Sequence, residues 1–334
     1  MIGSIKGMVY LCKHTKNCPQ VIIDKVLGKD SITITCRDGY KFTVRKNEYN
    51  YISYLASICA LRRHGFSAEF INGTPNVNSI ELSLSSTFFL AQISEKTRTS
   101  LYNRNGTPLI KFNYSGTDLK FKLFPDGLGI SELYEVFFEN TYGVFDYNGK
   151  IVIDIGGFIG DTATYFAVNG AKKVYVYEPF PPTFKLLREN IKLNNLNDVI
   201  IPKNVGIGHN DSIVEMGFSN TFPGSSGYVT DVRKISSSKY TVRVQDITKV
   251  LDSIGEVDVI KMDCEGCEYQ VINRLVESGY IDKINEGLIM EVHESEQLGK
   301  LNDIVGPLKN SGFKTKILKR NKGEINLYIL KAWR

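Results

Sequence analysis

Four short apolar runs in the second half of the chain constrain its fold most. They are IVIDI (151–155), KVYVYE (173–178), VDVIKM (257–262) and GLIMEVH (287–293). Runs of this length without regular polar alternation are typical of strands that are buried on both faces. Segments with helical spacing separate the runs, and this alternation predicts a parallel sheet covered by helices.

Three further runs extend the same pattern. DVIIPKNVG (198–206) predicts one more strand, while FKTKILK (313–319) and INLYILKAW (325–333) flank a polar turn and predict a closing antiparallel hairpin. We therefore expect an α/β, Rossmann-like fold. Its sheet would be mostly parallel and seven-stranded, with helices on both faces, a C-terminal antiparallel hairpin and an N-terminal α+β extension.

The regular pattern starts beyond residue 110, so we expect two domains. Residues 1–110 would be the α+β extension, to which the sequence assigns no chemistry, and residues 111–334 would be the main domain. Within the extension, Asp38-Gly39 predicts a hairpin turn. Within the main domain, residues 207–245 predict a β-hairpin insertion with a mobile tip at NTFPGSSG (220–227).

Composition limits the partners only weakly. The 334 residues include 41 basic and 36 acidic side chains, and the net charge of +5 permits a nucleic-acid partner without indicating one. No stretch approaches the roughly 18 consecutive apolar residues of a membrane span. The first residues lack the apolar core of a secretory signal. Six cysteines are too few for a disulfide scaffold, so we expect a cytoplasmic protein with mostly reduced thiols.

The segment VIDIGGFIGD contains Gly156, Gly157 and Gly160 between a predicted strand and a predicted helix. Glycines in this place let the backbone approach a ligand closely. Their spacing differs from the G-x-G-x-x-G of nicotinamide-binding proteins. Asp154 and Asp161 flank the loop, and carboxylates suit a ligand with an ammonium group, such as S-adenosylmethionine, better than a phosphate. A tight turn without any ligand is the alternative.

Glu178 ends the second predicted strand, 24 residues after Asp154. An acid in this position suits the two ribose hydroxyls of an adenosine cofactor. A surface glutamate at a strand end is the simpler interpretation. Glu178 alone does not separate NAD from S-adenosylmethionine, because both cofactors contain the ribose.

Over roughly residues 150–295 the chain resembles the FkbM family of S-adenosylmethionine-dependent methyltransferases. A D-x-G-x-x-x-G-D loop follows the first strand, an E-P pair follows the second, and K-x-D-x-E-G-x-E follows the fourth. The resemblance implies a class I methyltransferase fold with S-adenosylmethionine as cofactor. The matching residues are Asp154, Gly156, Gly160, Asp161, Glu178, Pro179, Lys261, Asp263, Glu265, Gly266 and Glu268.

The resemblance also implies roles for these residues. The glycine loop would surround the methionine part of the cofactor, and Glu178 would hold the ribose, with Pro179 as a further cofactor-binding residue. Asp263 and Glu265 would face the cofactor and the acceptor. The loop residues are Asp154, Gly156, Gly157, Phe158, Gly160 and Asp161, and Asn204 and Val205 would border the adenine.

The implied reaction is methyl transfer to a hydroxyl of a small molecule or glycan. His293 is the favoured general base, because the unperturbed pKa of histidine is about 6.5. Asp263 and Glu265 are alternatives, and a purely structural role for His293 is equally open. No residue is assigned as a metal ligand, although metal dependence stays open, and no membrane partner is expected.

Cys264 and Cys267 lie at variable positions of the third motif, so we expect small, buried side chains there. A zinc site would need two further ligands, and the surrounding acids disfavour a redox pair.

Three other functions stay open. An NAD-linked oxidoreductase would share the fold class, although the glycine spacing disfavours it. An RNA methyltransferase would bind with a strong salt dependence. A non-catalytic binding protein on the same scaffold would keep the core and lose the site. The sequence sets neither the acceptor nor the oligomeric state.

Overall fold

The computed structural model describes residues 5–217, 239–323 and 325–334. The chain divides into two compact units, Met1–Glu139 and Asn140–Arg334. This boundary differs from the expected division at residue 110, because a strand at Thr107–Tyr114 spans that position and pairs with a neighbour on each side. A cut at residue 110 would break a three-stranded antiparallel sheet. The functional assignment of the two parts stays a prediction.

The N-terminal unit contains helices and small antiparallel sheets. Its helices are α1 (Ile5–His14), α2 (Cys18–Val26), α3 (Ile52–Arg63), α4 (Leu84–Lys96) and α5 (Ile130–Phe137). Its strands are β1 (Ser31–Thr35), β2 (Lys41–Arg45), β3 (Ala68–Ile71), β4 (Thr74–Val77), β5 (Ile80–Glu81), β6 (Thr99–Arg104), β7 (Thr107–Tyr114) and β8 (Thr117–Lys122). β1 and β2 pair antiparallel, which confirms the predicted hairpin.

The C-terminal unit is built on one large mixed sheet. Its strands are β9 (Ile151–Ile155), β10 (Lys173–Tyr177), β11 (Ile200–Lys203), β15 (Val257–Met262), β16 (Ile284–Glu294), β17 (Lys314–Asn321) and β18 (Asn326–Trp333). Its helices are α6 (Asp161–Val168), α7 (Pro181–Leu193), α8 (Ile247–Ile254), α9 (Glu268–Glu277) and α10 (Asn302–Asn310). The α/β class is therefore confirmed.

The strand order of this sheet is β11-β10-β9-β15-β16-β18-β17. Neighbouring strands from β11 to β16 pair parallel, whereas β18 pairs antiparallel with both β16 and β17. The sheet is mixed because the closing hairpin places its second strand, β18, between β16 and β17. The antiparallel strand therefore lies inside the sheet rather than at its edge.

The central strands are buried on both faces, as the apolar runs predict. In β9, the successive residues Val152 and Ile153 are both fully buried. One core cluster joins alternate residues of β9, β15 and β16 with apolar residues of α8, α9 and α10. None of the helices in the described part of the chain is long and apolar enough to cross a membrane.

The chain order of the strands creates a crevice. From β9 the chain proceeds outward to β11, and it later returns to β15 on the opposite side of β9. The carboxyl ends of β9 and β15 therefore lie where the strand order reverses. Ligands of open α/β sheets bind at such a reversal.

The predicted insertion contains a second, three-stranded sheet. Strands β12 (Gly206–Gly208), β13 (Ser212–Gly217) and β14 (Lys239–Asp246) form it, and β13 pairs antiparallel with β14. The predicted mobile tip at 220–227 lies outside the described residues.

All six cysteines of the sequence form disulfides, which corrects the expectation of mostly reduced thiols. The pairs are Cys12–Cys18, Cys36–Cys59 and Cys264–Cys267. In the third pair, the intervening Glu265 and Gly266 have φ angles of 57° and 112°. This left-handed turn sets the two Cα atoms 5.5 Å apart, within the usual range for a disulfide.

We expect the purified chain, unfolded without reductant, to show no thiol reactive toward a maleimide reagent. The same chain should show six thiols after reduction. Mass spectrometry of a non-reduced digest should identify the three pairs, with a reduced digest as the control. Six reactive thiols before reduction would contradict the pairing.

Candidate active site

The glycine loop is a tight turn that joins β9 to α6. Gly156 and Gly157 both donate their N–H groups to the carbonyl of Tyr177, over 3.0 and 3.1 Å, and Gly160 donates to the carbonyl of Gly157 over 2.7 Å. A Cβ atom on Gly156 would overlap the carbonyl oxygen of Asp263, so only glycine fits there. These three N–H groups are engaged within the protein and are therefore not available to an anion.

Asp154 lies behind this loop in a buried ion pair. Its Oδ1 is 3.0 Å from Nζ of Lys261, and its Oδ2 accepts a hydrogen bond from the Thr162 hydroxyl over 2.6 Å. Nζ of Lys261 also donates to the carbonyl of Gly156 over 2.7 Å. The structure therefore gives Asp154 a supporting position below the loop, whereas the sequence predicts contact with the cofactor's ammonium.

The role of Lys261 as the partner of Asp154 does not follow from the motif, although a lysine inside an apolar run is a signal of a buried partner. Burial alone would lower the pKa of Lys261. The charges of Asp154, Asp263 and Asp161 outweigh burial and raise that pKa above its ordinary value. The Lys261 ammonium is therefore charged at neutral pH, and its ion pair with Asp154 links β15 to β9.

Glu178 follows β10 and clamps the loop. Its Oε2 accepts the N–H of Phe158 over 2.9 Å, while its Oε1 accepts the N–H of Phe180 and the Thr183 hydroxyl over 2.8 and 2.7 Å. Burial raises the pKa of Glu178 to about 7, although these hydrogen bonds oppose the shift. Glu178 thus positions the loop, and a second lone pair on Oε2 can still accept a hydrogen bond from a ligand hydroxyl.

The two residues predicted to border the adenine lie beside Glu178. The side-chain amide of Asn204 donates to the carbonyl of Glu178 over 2.9 Å and to the carbonyl of Pro179 over 3.0 Å. Val205 follows Asn204 and is half-buried. The structure thus brings these four predicted residues together at the carboxyl ends of β10 and β11.

The segment after β15 is an acidic turn with a buried anchor. Glu268 is fully buried, and its carboxylate accepts the N–H groups of Cys264 and Gly266 over 3.1 and 2.9 Å. The Cys264–Cys267 disulfide closes the same turn. Two independent constraints therefore hold Glu265 in its left-handed conformation.

His293, near the end of β16, is buried between two of these acids. Its Nδ1 is 3.2 Å from Oε1 of Glu268, and its Nε2 is 3.3 Å from Oε2 of Glu265. Burial lowers the pKa of His293, but the hydrogen bond with Glu268 and the charge of Glu265 outweigh it and raise the pKa to about 10. The imidazole in this state already carries the proton that a general base must accept, which conflicts with the predicted role.

Asp263 and Glu265 complete the cluster. Oδ2 of Asp263 accepts a hydrogen bond from the buried Tyr142 hydroxyl over 3.1 Å. Burial raises the pKa of Glu265 to about 7, against the opposing charge of His293. One possible ligand atom from each of Asp263, Glu265 and His293 lies within 4.8 Å of the others. The structure thus brings the three predicted catalytic residues together, in a set that can also hold a metal ion.

A family model supports the motif-based resemblance. Residues 154–315 match the model described as the Methyltransferase FkbM domain. The matched segment begins at Asp154 and includes the glycine loop, Glu178 and the acidic cluster. The match covers the larger part of the C-terminal unit, so this unit is similar to an FkbM methyltransferase domain.

Several known proteins are similar to this chain. Methyltransferase 1 of Beauveria bassiana is 26% identical over 163 residues, which cover 42% of this chain and 65% of that protein. The chain thus spans slightly less than two thirds of this relative's length. Solved structures of TYW2 from P. horikoshii with MeSAdo and from M. jannaschii with AdoMet are 18% and 16% identical. Both matches cover 70% of this chain. The P. horikoshii match covers 73% of that protein's chain with a TM-score of 0.38, and the M. jannaschii match covers 88% with a TM-score of 0.37.

We expect Lys261→Met to lower the free energy of unfolding of the C-terminal unit by about 3–5 kcal/mol, because it leaves the Asp154 carboxylate buried without its charge partner. Urea unfolding followed by fluorescence of Trp333, the single tryptophan of the chain, measures this unit.

Lys249→Met is the matched control. Nζ of Lys249 lies 2.6 Å from Oδ2 of Asp211 in an exposed pair, so its loss should lower the free energy of unfolding far less than the loss of Lys261. Adding Asp154→Leu to Lys261→Met should recover much of the loss, because both charges are then absent. Equal small losses for the two lysine variants would contradict a structural role for the buried pair.

Proposed function

We propose that the C-terminal unit is an S-adenosylmethionine-dependent methyltransferase that acts on a hydroxyl of a small molecule or glycan. One observation supports this proposal: within the segment that matches the FkbM methyltransferase model, Glu178, Asp263, Glu265 and His293 lie at the carboxyl ends of neighbouring strands, near the point where the strand order reverses. This is the position at which open α/β sheets bind ligands.

The residues present fit the cofactor in their chemistry. Glu178 would accept ribose hydroxyls through Oε2, and Asn204 with Val205 would border the adenine. Asp263 would face the sulfonium side of the cofactor and the acceptor. Asp154 would act through the loop, because Lys261 already neutralises its carboxylate.

When bound, S-adenosylmethionine supplies a methyl group on a sulfonium; the carbon–sulfur bond breaks as the oxygen–carbon bond forms, and sulfur keeps the electron pair. The acceptor hydroxyl must lose its proton in the same process. Asp263 and Glu265 are the side chains that can take this proton, because His293 is already protonated between Glu265 and Glu268. The main contribution of the protein is alignment, worth up to about 7–11 kcal/mol in well-oriented model reactions.

The acceptor and the compartment are also proposals. An RNA acceptor is the alternative, and binding that weakens steeply with salt would favour it over a small molecule or glycan. A cytoplasmic location is expected from the sequence, but three disulfides favour oxidising surroundings.

We expect calorimetry to show saturable binding of S-adenosylhomocysteine and no binding of NAD. Glu178→Gln should weaken S-adenosylhomocysteine binding about 10- to 100-fold, because a hydrogen bond to a charged group contributes about 1.5–3 kcal/mol. Glu256→Gln, at an exposed position, is the control and should leave binding unchanged.

The two ligands separate the competing functions. Binding of NAD alone would favour an oxidoreductase, and binding of neither ligand would favour a non-catalytic protein on this scaffold. Equal affinity of the Glu178 and Glu256 variants would remove Glu178 from the cofactor site.

A further inference from the structure

The acidic cluster has the composition and geometry of a cation site. We propose that Asp263, Glu265 and His293 bind one divalent metal ion of the manganese class, through one carboxylate oxygen from each acid and Nε2 of the imidazole. We further propose that this ion holds the acceptor hydroxyl, a second step that rests on the proposed function. The first step concerns metal binding alone and is independent of methyl transfer.

The spacing of the ligand atoms suits a shared ion. Nε2 of His293 and Oε2 of Glu265 are 3.3 Å apart. Two ligands at about 2.1 Å from one metal ion lie about 3.0–3.5 Å from each other in tetrahedral or octahedral geometry. The donor atom of Asp263 completes a set within 4.8 Å, so small side-chain rotations can close the three ligands on one ion.

The residue behind His293 is the strongest part of the argument. Glu268 faces Nδ1 over 3.2 Å, and the N–H groups of Cys264 and Gly266 fix its own carboxylate in turn. Metal-binding histidines commonly donate one ring N–H to a buried carboxylate, which aims the other nitrogen at the metal. Here that arrangement aims Nε2 at Glu265.

The charges of the cluster also favour a cation. Asp263, Glu265 and Glu268 place three carboxylates around one imidazole, while the Tyr142 hydroxyl is a neutral donor to Asp263. The nearby Lys261 ammonium is engaged by Asp154 and by the carbonyl of Gly156. A divalent ion that replaces the proton on Nε2 adds one positive charge to the cluster. This charge reduces the repulsion among the three carboxylates.

The chemistry of the three ligands indicates which ion binds, and the number of positions they leave open indicates which acceptor can bind to it. Two carboxylates favour Mg²⁺ or Mn²⁺, and an imidazole shifts the preference toward Mn²⁺ and heavier transition ions. Three protein ligands leave open positions on an octahedral ion. Two neighbouring hydroxyls of one acceptor can occupy two of them, and the ion then lowers the pKa of the hydroxyl that it binds.

The test is a titration of the chelator-treated full chain with Mn²⁺, followed by electron paramagnetic resonance of the free ion, without S-adenosylmethionine. We expect one Mn²⁺ per chain. Glu265→Gln and His293→Asn should each weaken binding at least tenfold. The bound ion should also show electron spin-echo modulation from an imidazole nitrogen, and His293→Asn should abolish this modulation.

The chain contains a matched control pair outside the cluster. His209 and Glu277 lie 3.0 Å apart at an exposed position, so His209→Asn and Glu277→Gln should leave Mn²⁺ binding unchanged. Trp333 fluorescence and thermal unfolding identify variants that have lost their fold. Asp263→Asn provides a third ligand variant if one of the others does not fold.

The outcomes separate the two proposals. No saturable Mn²⁺ binding to the folded wild-type chain would overturn the metal site, as would unchanged binding and modulation in folded His293→Asn. S-adenosylhomocysteine binding to the metal-free chain is measured separately. If the chain binds Mn²⁺ but does not bind S-adenosylhomocysteine, the proposed function and the acceptor step are both wrong. The metal site is then still supported.

Discussion

The buried ion pair between Lys261 and Asp154 fixes the geometry on which the candidate site depends. The two residues are direct neighbours in the register of β15 and β9, and Lys261 also holds the carbonyl of Gly156. Removing one partner would leave a charge in the interior, which is among the most destabilising changes a fold can undergo. Both strands end just beyond this pair, so the glycine loop and the acidic turn start from one fixed point. Residues more than 100 positions apart in the sequence therefore meet at the same edge of the sheet.

The acidic turn concentrates charge and strain that the surrounding structure must offset. Glu265 adopts a left-handed conformation with a φ angle of 57°, and such conformations cost about 1–3 kcal/mol when the residue is not glycine. Glu268 offsets part of this cost by binding two backbone N–H groups, and the adjacent disulfide holds the same turn covalently. His293 lies between the two glutamates and reduces their repulsion. Strain that is held by several independent constraints is typical of a site with a function.

The sequence predicts the features that depend on local pattern and misses those that depend on pairing in space. Burial on both faces is visible in an apolar run such as IVIDI, so the central strands could be predicted, and motif spacing placed Glu178 and Asp263 at strand ends. The partner of Asp154 depends on the register between two strands that are distant in the chain. The protonation of His293 depends on Glu268, which lies on another element. The third disulfide depends on a left-handed turn that the C-x-x-C spacing does not reveal.

The internal hydrogen bonds of the glycine loop bear on the choice of cofactor. Dinucleotide-binding folds use free N–H groups of this loop and of the following helix to bind a pyrophosphate. Here Gly156, Gly157 and Gly160 donate to carbonyl groups of the protein, and Phe158 donates to Glu178. A pyrophosphate would have to break these bonds and would also approach the buried carboxylate of Glu178. S-adenosylmethionine has no pyrophosphate, so it does not need these N–H groups for one, and its ribose hydroxyls need an acceptor such as a carboxylate. The glycine spacing of this loop differs from the nicotinamide fingerprint. Its internal hydrogen bonds therefore disfavour a dinucleotide as well.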